Sequence, residues 1–128
     1  MKILVDTSIF IWYITANEKL NHEHLRIIKD LNNEIYLSVI SIWEVTIKQQ
    51  IGKITFPLEV PEYFLIQRKK HKIKSLHLDE NTIRNLPMLP HIHRDPFDRM
   101  LICQAMEHDL FLMTVDETIK KYDKVKIL

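Results

Sequence analysis

The chain has 128 residues with 46% hydrophobic and 27% charged side chains, the composition of an ordinary globular domain long enough to bury a core. Lys plus Arg is 18 and Asp plus Glu is 17, so a net charge of +1 gives no support for a bulk polyanion binder, although a site reads local charge. No apolar run approaches the ~20 residues of a membrane span, and a single Cys103 excludes an intramolecular disulfide, as expected of a reduced thiol in a cytoplasmic protein.

Met1-Lys2-Ile3-Leu4-Val5 resembles the start of a signal peptide, but Asp6 ends it too soon. Ile3-Leu4-Val5 instead fits a buried strand. Thr7 or Ser8 is placed to cap the helix from Ile9 to about Ala16, which is apolar on nearly every face. A second helix is expected from about Asn21 to Leu31, with Leu25, Ile28 and Leu31 as its stripe. Ile35 to Val39 reads as the second strand. Ser41-Ile42-Trp43-Glu44 fits a capping box that opens a helix to Ile51, stopped by Gly52, the only glycine. Pro57 and Pro61 bracket a connection into a helix through about Lys70. Ile73 to Leu78 fits a short strand, and Asp79 caps a short helix from Glu80 to Leu86.

Pro87 and Pro90 break the pattern before His93-Arg94-Asp95-Pro96-Phe97-Asp98-Arg99. Asp95 suits an N-cap, Pro96 the first helical position, and Asp98 the first turn, where the helix dipole favours an anion. This helix runs to about His108. Phe111 to Val115 is the next strand, closed by Asp116. Glu117 to Tyr122 is one or two helical turns, and Val125 to Leu128 a terminal strand. Strands alternate with helices throughout, which predicts a single α/β domain over 1–128, a three-layer α/β/α sandwich on a parallel sheet of 4–5 strands.

A parallel sheet places the C-terminal ends of its strands on one edge. Asp6 follows the first strand, Glu44 the second, and Asp116 the strand from Phe111. The helix from Pro96 feeds that last strand, so its N-terminus, with Asp95 and Asp98, returns to the same edge. Ligands of open α/β sheets bind there. Clustered carboxylates repel one another unless a cation joins them, and hard divalent ions take such oxygen sets.

Four segments together resemble the PIN-domain ribonucleases: Val5-Asp6-Thr7-Ser8, Ser41-Ile42-Trp43-Glu44, the His93–Ile102 run, and Leu112-Met113-Thr114-Val115-Asp116. The nearest branch is the toxin of bacterial VapBC-type toxin–antitoxin modules. The resemblance covers essentially the whole chain and is most specific in Arg94-Asp95-Pro96-Phe97-Asp98-Arg99. It implies a Mg²⁺- or Mn²⁺-dependent endoribonuclease cutting single-stranded RNA (tRNA, rRNA or mRNA). It maps the acidic catalytic and metal site to Asp6, Glu44, Asp98 and Asp116. Asp95, Thr114, Ser8 and Arg99 become secondary contacts, with Asp95 mainly a cap. It also implies a small VapB-like antitoxin across the active-site groove and a homodimer, with no membrane role. An RNA-processing nuclease without an antitoxin, or a non-catalytic PIN-like scaffold, are the alternatives.

Arg68-Lys69-Lys70-His71-Lys72-Ile73-Lys74 is either a solvated helix end or a phosphate-contacting rim through Lys70 and Lys72. Arg94 and Arg99 either pair with Asp95 or Glu44 or meet the RNA backbone. The seven histidines form no metal pattern; His91 and His93 lie near the site without the spacing of a helical ligand pair. Trp12, Tyr13 and Trp43 are expected in the core or at a subunit contact, with Trp12, Tyr13 and the second helix suiting a protein partner. A haloacid-dehalogenase-like phosphatase needs a second Asp two residues after Asp6, where Ser8 stands. A receiver domain needs an acceptor Asp after a central strand, which Ile35 to Val39 does not supply.

Overall fold

A computed structural model describes residues 1–128. Its sheet has five strands: β1 (Lys2–Val5), β2 (Glu34–Ser38), β3 (Lys74–Leu76), β4 (Phe111–Met113) and β5 (Lys126–Ile127). They run in the order β3-β2-β1-β4-β5, and every pairing is parallel. The helices are α1 (Thr7–Ile14), α2 (His22–Lys29), α3 (Val39–Gln50), α4 (Val60–Lys70), α5 (Glu80–Arg84) and α6 (Pro96–Glu107). No helix is long and apolar enough to cross a membrane.

The central strand β1 explains the three layers. Its side chains alternate faces. Ile3 and Val5 enter a core with Phe10 of α1, Ile28 of α2 and Phe64 of α4. Leu4 enters the opposite core with Leu101, Ile102 and Cys103 of α6. A strand covered on both faces has no polar position, so Ile3-Leu4-Val5 is a continuous apolar run. The register sets Val5 beside both Leu37 and Met113, so β1 and β4 end together and β2 runs one residue further, to Ser38.

The three-layer parallel architecture matches the sequence expectation, while several local signals resolve differently. Asp6, rather than Thr7 or Ser8, caps α1, its Oδ1 accepting from the Ile9 N–H at 2.8 Å. Ser38 caps α3, accepting from the Ile40 N–H at 3.0 Å, so the capping box at Ser41–Glu44 does not form. Ser41 lies fully buried inside the helix, and Glu44 falls in its second turn. The α2 stripe uses His24 and Ile28, because α2 ends at Lys29 and leaves Leu31 85% exposed. β4 stops at Met113, and the expected helix from Glu117 is a single 3₁₀ turn, Ile119–Lys121.

The end of α3 follows its sequence signal. Gly52 adopts φ +75°, its N–H donates to Gln49 O at 3.1 Å, and the Lys53 N–H reaches back to Lys48 O at 2.9 Å. These are the two bonds of a Schellman C-cap, where a side chain would be strained.

Candidate functional site

The chain adds β2 and β3 on one side of β1 and then β4 and β5 on the other, so the winding reverses between β1 and β4. A crevice opens there at the C-terminal edge. The Asp6 N–H donates to Met113 O at 3.1 Å, which ties the two strand ends together. Beyond this bond the Thr114 hydroxyl donates to Asp6 Oδ2 at 2.5 Å and accepts from the Asp116 N–H at 3.0 Å. Asp116 Oδ1 in turn accepts from the N–H groups of Thr118 and Ile119 at 2.8 and 3.2 Å. One oxygen of each aspartate is therefore spent on backbone, while the Thr114 hydroxyl lies between the two residues.

Glu44 arrives from α3. Its Oε1 accepts from the Thr7 hydroxyl at 2.8 Å, and the same hydroxyl lies 2.9 Å from Ser41 Oγ. Its Oε2 takes Lys48 Nζ at 2.9 Å, one turn along the helix. Asp95 caps α6, accepting from the N–H groups of Phe97 at 2.8 Å and Asp98 at 3.3 Å. Asp98 stands in the first turn of that helix, free of any capping duty. Asp6, Glu44, Asp95, Asp98 and Asp116 line one cleft of about 340 Å³ together with Ser8 and Lys48.

The electrostatics record this crowding. Burial pushes the Asp6 carboxyl up to about 6; the Asp116 and Glu44 charges add to it, and the Thr114 and Ile9 hydrogen bonds oppose it. Burial also pushes Asp98 up to about 7, reinforced by Asp95 and Glu44 and opposed by His93. Anions held this close favour a proton or a cation.

His93, which the sequence sets near the site without a ligand pattern, is in the structure a direct neighbour of the carboxylates. Its Nε2 lies 3.0 Å from Asp98 Oδ2 and 3.5 Å from Asp116 Oδ2, and the three donor atoms fall within 4.8 Å of one another. Its Nδ1 accepts the Asp95 N–H at 3.2 Å, which assigns the ring proton to Nε2. The ring therefore faces the carboxylates as an N–H donor, and the remaining donors are all oxygens. The buried Nε2 makes no hydrogen bond of good geometry to either carboxylate, although both lie within 3.5 Å of it. That donor set fits a hard divalent cation. No periodic pattern marks His93, because it lies in a proline-bounded loop.

The other sequence-derived residues separate. Ser8 is exposed on the cleft wall. Arg99 does not pair with Asp95 or Glu44. It is buried, and its Nη1 donates to Pro90 O at 2.9 Å and to His93 O at 3.4 Å, while its Nη2 donates to Leu89 O at 3.4 Å. It clasps the loop that carries His93. Lys70 ends α4 and Lys72 precedes β3, so both sit at the N-terminal edge of the sheet, opposite the acids. The cleft's own cation is Lys48, whose signal is the Glu44–Lys48 spacing of four residues. Arg94 is exposed beside the cleft, lining a neighbouring depression. Trp43 does not enter the core, being 58% exposed in the single chain.

Comparison with curated proteins finds no match. Solved structures with the same fold include VapBC2 from Rickettsia felis bound to a promoter DNA fragment, with a TM-score of 0.76 and 14% identity over 100% of this chain and 98% of that one. DNA-bound VapBC from Salmonella typhimurium gives 0.69 and 17% identity over 100% and 97% of the chains. VapBC-5 of Mycobacterium tuberculosis, a member of the VapBC family of toxin–antitoxin systems, gives 0.64 and 17% over 99% and 97%. A model of the PIN domain matches residues 3–125. With a five-stranded parallel sheet between helical layers and carboxylates gathered at the β1–β4 reversal, this chain belongs to the PIN-domain family.

Proposed function

We propose that this chain is a divalent-metal-dependent endoribonuclease cutting single-stranded RNA, and that it acts as the toxin of a VapBC-type module. The observation that carries the nuclease reading is the convergence of Asp6, Glu44, Asp98 and Asp116 in one cleft of a PIN domain. PIN domains are generally nucleases. The toxin reading is supported by structural neighbours that are VapBC complexes, and a VapB-like antitoxin lying over the groove is its natural partner. Trp12 and Tyr13, half-buried over a groove between α1 and α2, suit a second copy of the chain or that partner.

Asp6, Asp98, Asp116 and Glu44 would hold Mg²⁺ or Mn²⁺. Such an ion acidifies a water and offsets charge on the phosphate in flight. The protein's own contribution is positioning. Thr114 and the cap bonds aim Asp6, Thr7 and Lys48 aim Glu44, and the Asp95 cap fixes the helix end that presents Asp98. In-line attack of water on phosphorus, with the P–O3′ bond breaking and the 3′ oxygen leaving as a hydroxyl, would give 5′-phosphate and 3′-hydroxyl ends.

Asp6→Asn is the direct test. Asn retains a side-chain oxygen for the Ile9 N–H, so the fold survives while the metal charge balance is lost. Cleavage of single-stranded RNA in Mg²⁺ should fall on the order of 100-fold or more in Asp6→Asn and in Asp98→Asn. Wild-type rates in both would refute the assignment. Loss of growth on expressing the chain alone, relieved by an adjacent small gene, would separate a toxin from an RNA-processing nuclease.

A further inference from the structure

On the far side of the seam between α3 and α6 lies a second depression. Each helix gives adjacent residues to both hollows. Glu44 and Asp98 line the acidic cleft, while Trp43 and Phe97, one residue earlier on each helix, line an apolar depression of about 300 Å³. Ile40, Leu86 and Met100 form its floor, and Arg94 stands at its rim.

Trp43 is the anomaly there. A large aromatic is normally mostly buried, and this indole is 58% exposed. It is nevertheless held in place, because its ring meets Phe97 nearly edge-on, with centroids 5.1 Å apart at 78°. An edge-on brace leaves a flat aromatic face available. Arg94 is exposed and pairs with no carboxylate, although Asp95 and Asp98 are close in sequence. An oriented aromatic face, a hollow beside it and an unpaired guanidinium make the combination that single-stranded nucleic acid uses: a base stacks and a phosphate is neutralised.

We propose that Trp43, braced by Phe97, is the stacking platform for an unpaired base of the RNA strand being cut, with Arg94 on the phosphate next to that base. This rests on the nuclease reading above and adds to it a place where a nucleotide flanking the scissile phosphate is read. Adjacent residues on one helix project about 100° apart, so the indole and the Glu44 carboxylate lie on neighbouring faces of α3, and Phe97 and Asp98 on neighbouring faces of α6. A strand whose phosphate lies among the carboxylates reaches the indole by crossing the seam between the two helices. The unpaired charge of Arg94 and the adjacency of the two hollows along α3 and α6 favour RNA over a purely apolar protein partner.

Steady-state cleavage of short single-stranded RNA by wild type, Trp43→Ala and Trp43→Phe tests this, with oligonucleotides carrying an abasic nucleotide at each position around the cut. Trp43→Ala should raise KM about 10–100-fold, the loss of one base–aromatic stack, with a much smaller fall in kcat. Trp43→Phe should recover most of it. One abasic position should cost wild type a similar factor and cost Trp43→Ala almost nothing further. Mn²⁺ affinity should be the same in all three chains. An unchanged KM in Trp43→Ala, with wild type cleaving, overturns the platform alone. So does a Trp43→Ala chain that loses self-association or antitoxin binding while its KM stays put. Failure of wild type to cut any single strand in Mg²⁺ or Mn²⁺ overturns the nuclease reading and the platform with it.

Discussion

The Thr114 hydroxyl donates to Asp6 Oδ2 across 108 positions of chain, and the Asp116 N–H donates to that same hydroxyl. One side chain thus connects the acids that follow β1 and β4. Because this bond holds the ionised form of Asp6, it opposes the burial that pushes its carboxyl up. Thr114→Val should remove about 1–2 kcal/mol of stability by stranding a buried acceptor. It should also raise the Asp6 pKa further above about 6 and move the acid limb of the activity profile to higher pH. Thr114→Ser should restore both. Thermal melts and a pH–rate profile would show it, and a Val variant with an unshifted profile would refute the connection.

The acids also set how stability depends on pH. The folded pKa values of Asp6 and Asp98, about 6 and about 7, lie above the ordinary carboxylate value of 3.8. The native chain therefore binds more protons than the unfolded chain between those limits. Without metal, the stability these two acids contribute is fully present below about pH 3.8 and is lost as pH rises through about 7. A divalent ion held as proposed would bind the deprotonated acids, so its stabilising effect should grow over the same window. Asp98→Asn should stabilise the metal-free chain at pH 8 by about 1–3 kcal/mol and flatten the decline. Denaturant titrations at pH 5 and 8, with EDTA or with Mg²⁺, measure each part; a metal-free chain more stable at pH 8 than at pH 5 would contradict it.

Arg99 is expected to matter through the loop rather than through the acids. Its guanidinium satisfies the carbonyls of Leu89, Pro90 and His93, and Tyr122 closes the same knot by donating to Pro90 O at 2.8 Å. Lys cannot reproduce a planar fork with donors on several sides. Arg99→Lys should cost about 1–3 kcal/mol and speed proteolysis between Leu86 and Asp95, with RNA affinity falling only as far as His93 and Asp95 are displaced. Limited proteolysis with mass spectrometry reads this directly.

Charge reversal distinguishes the two basic features. Lys70 and Lys72 lie at the sheet edge away from the acids, while Lys48 lies in the cleft. Lys70→Glu and Lys72→Glu should leave KM for RNA within about twofold at physiological salt, where exposed charges beyond a Debye length of ~8 Å are screened. Lys48→Ala should alter KM and also free Glu44 to move. A large KM effect from Lys72→Glu would mean that the RNA wraps the opposite edge.

Much of the frame was legible because its causes are local. Ile3-Leu4-Val5 has no polar position and must be covered on both faces. Gly52 marks a left-handed turn, and Asp95-Pro96 marks a helix start. The meeting of Asp6, Glu44, Asp98 and Asp116 follows from strand polarity, and the same polarity rule sends the basic run before β3 to the far edge. The capping residues were less legible: Asp6 and Ser38 outcompete Thr7 and Ser41 because the chain turns one to three residues earlier than the apolar pattern shows.

The sequence by itself determined the alternation of strands and helices, the two-sided burial of the sheet and which carboxylates share an edge, since each depends on periodicity, caps and the direction of a parallel strand. Only the tertiary structure decided where the long and loop-borne side chains point. His93 comes to Asp98 and Asp116 through a proline-bounded loop, Arg99 turns from the acids to three carbonyls, and Trp43 stays in solvent one residue from buried Glu44. Those directions depend on contacts between segments far apart in the chain, and no local pattern encodes them.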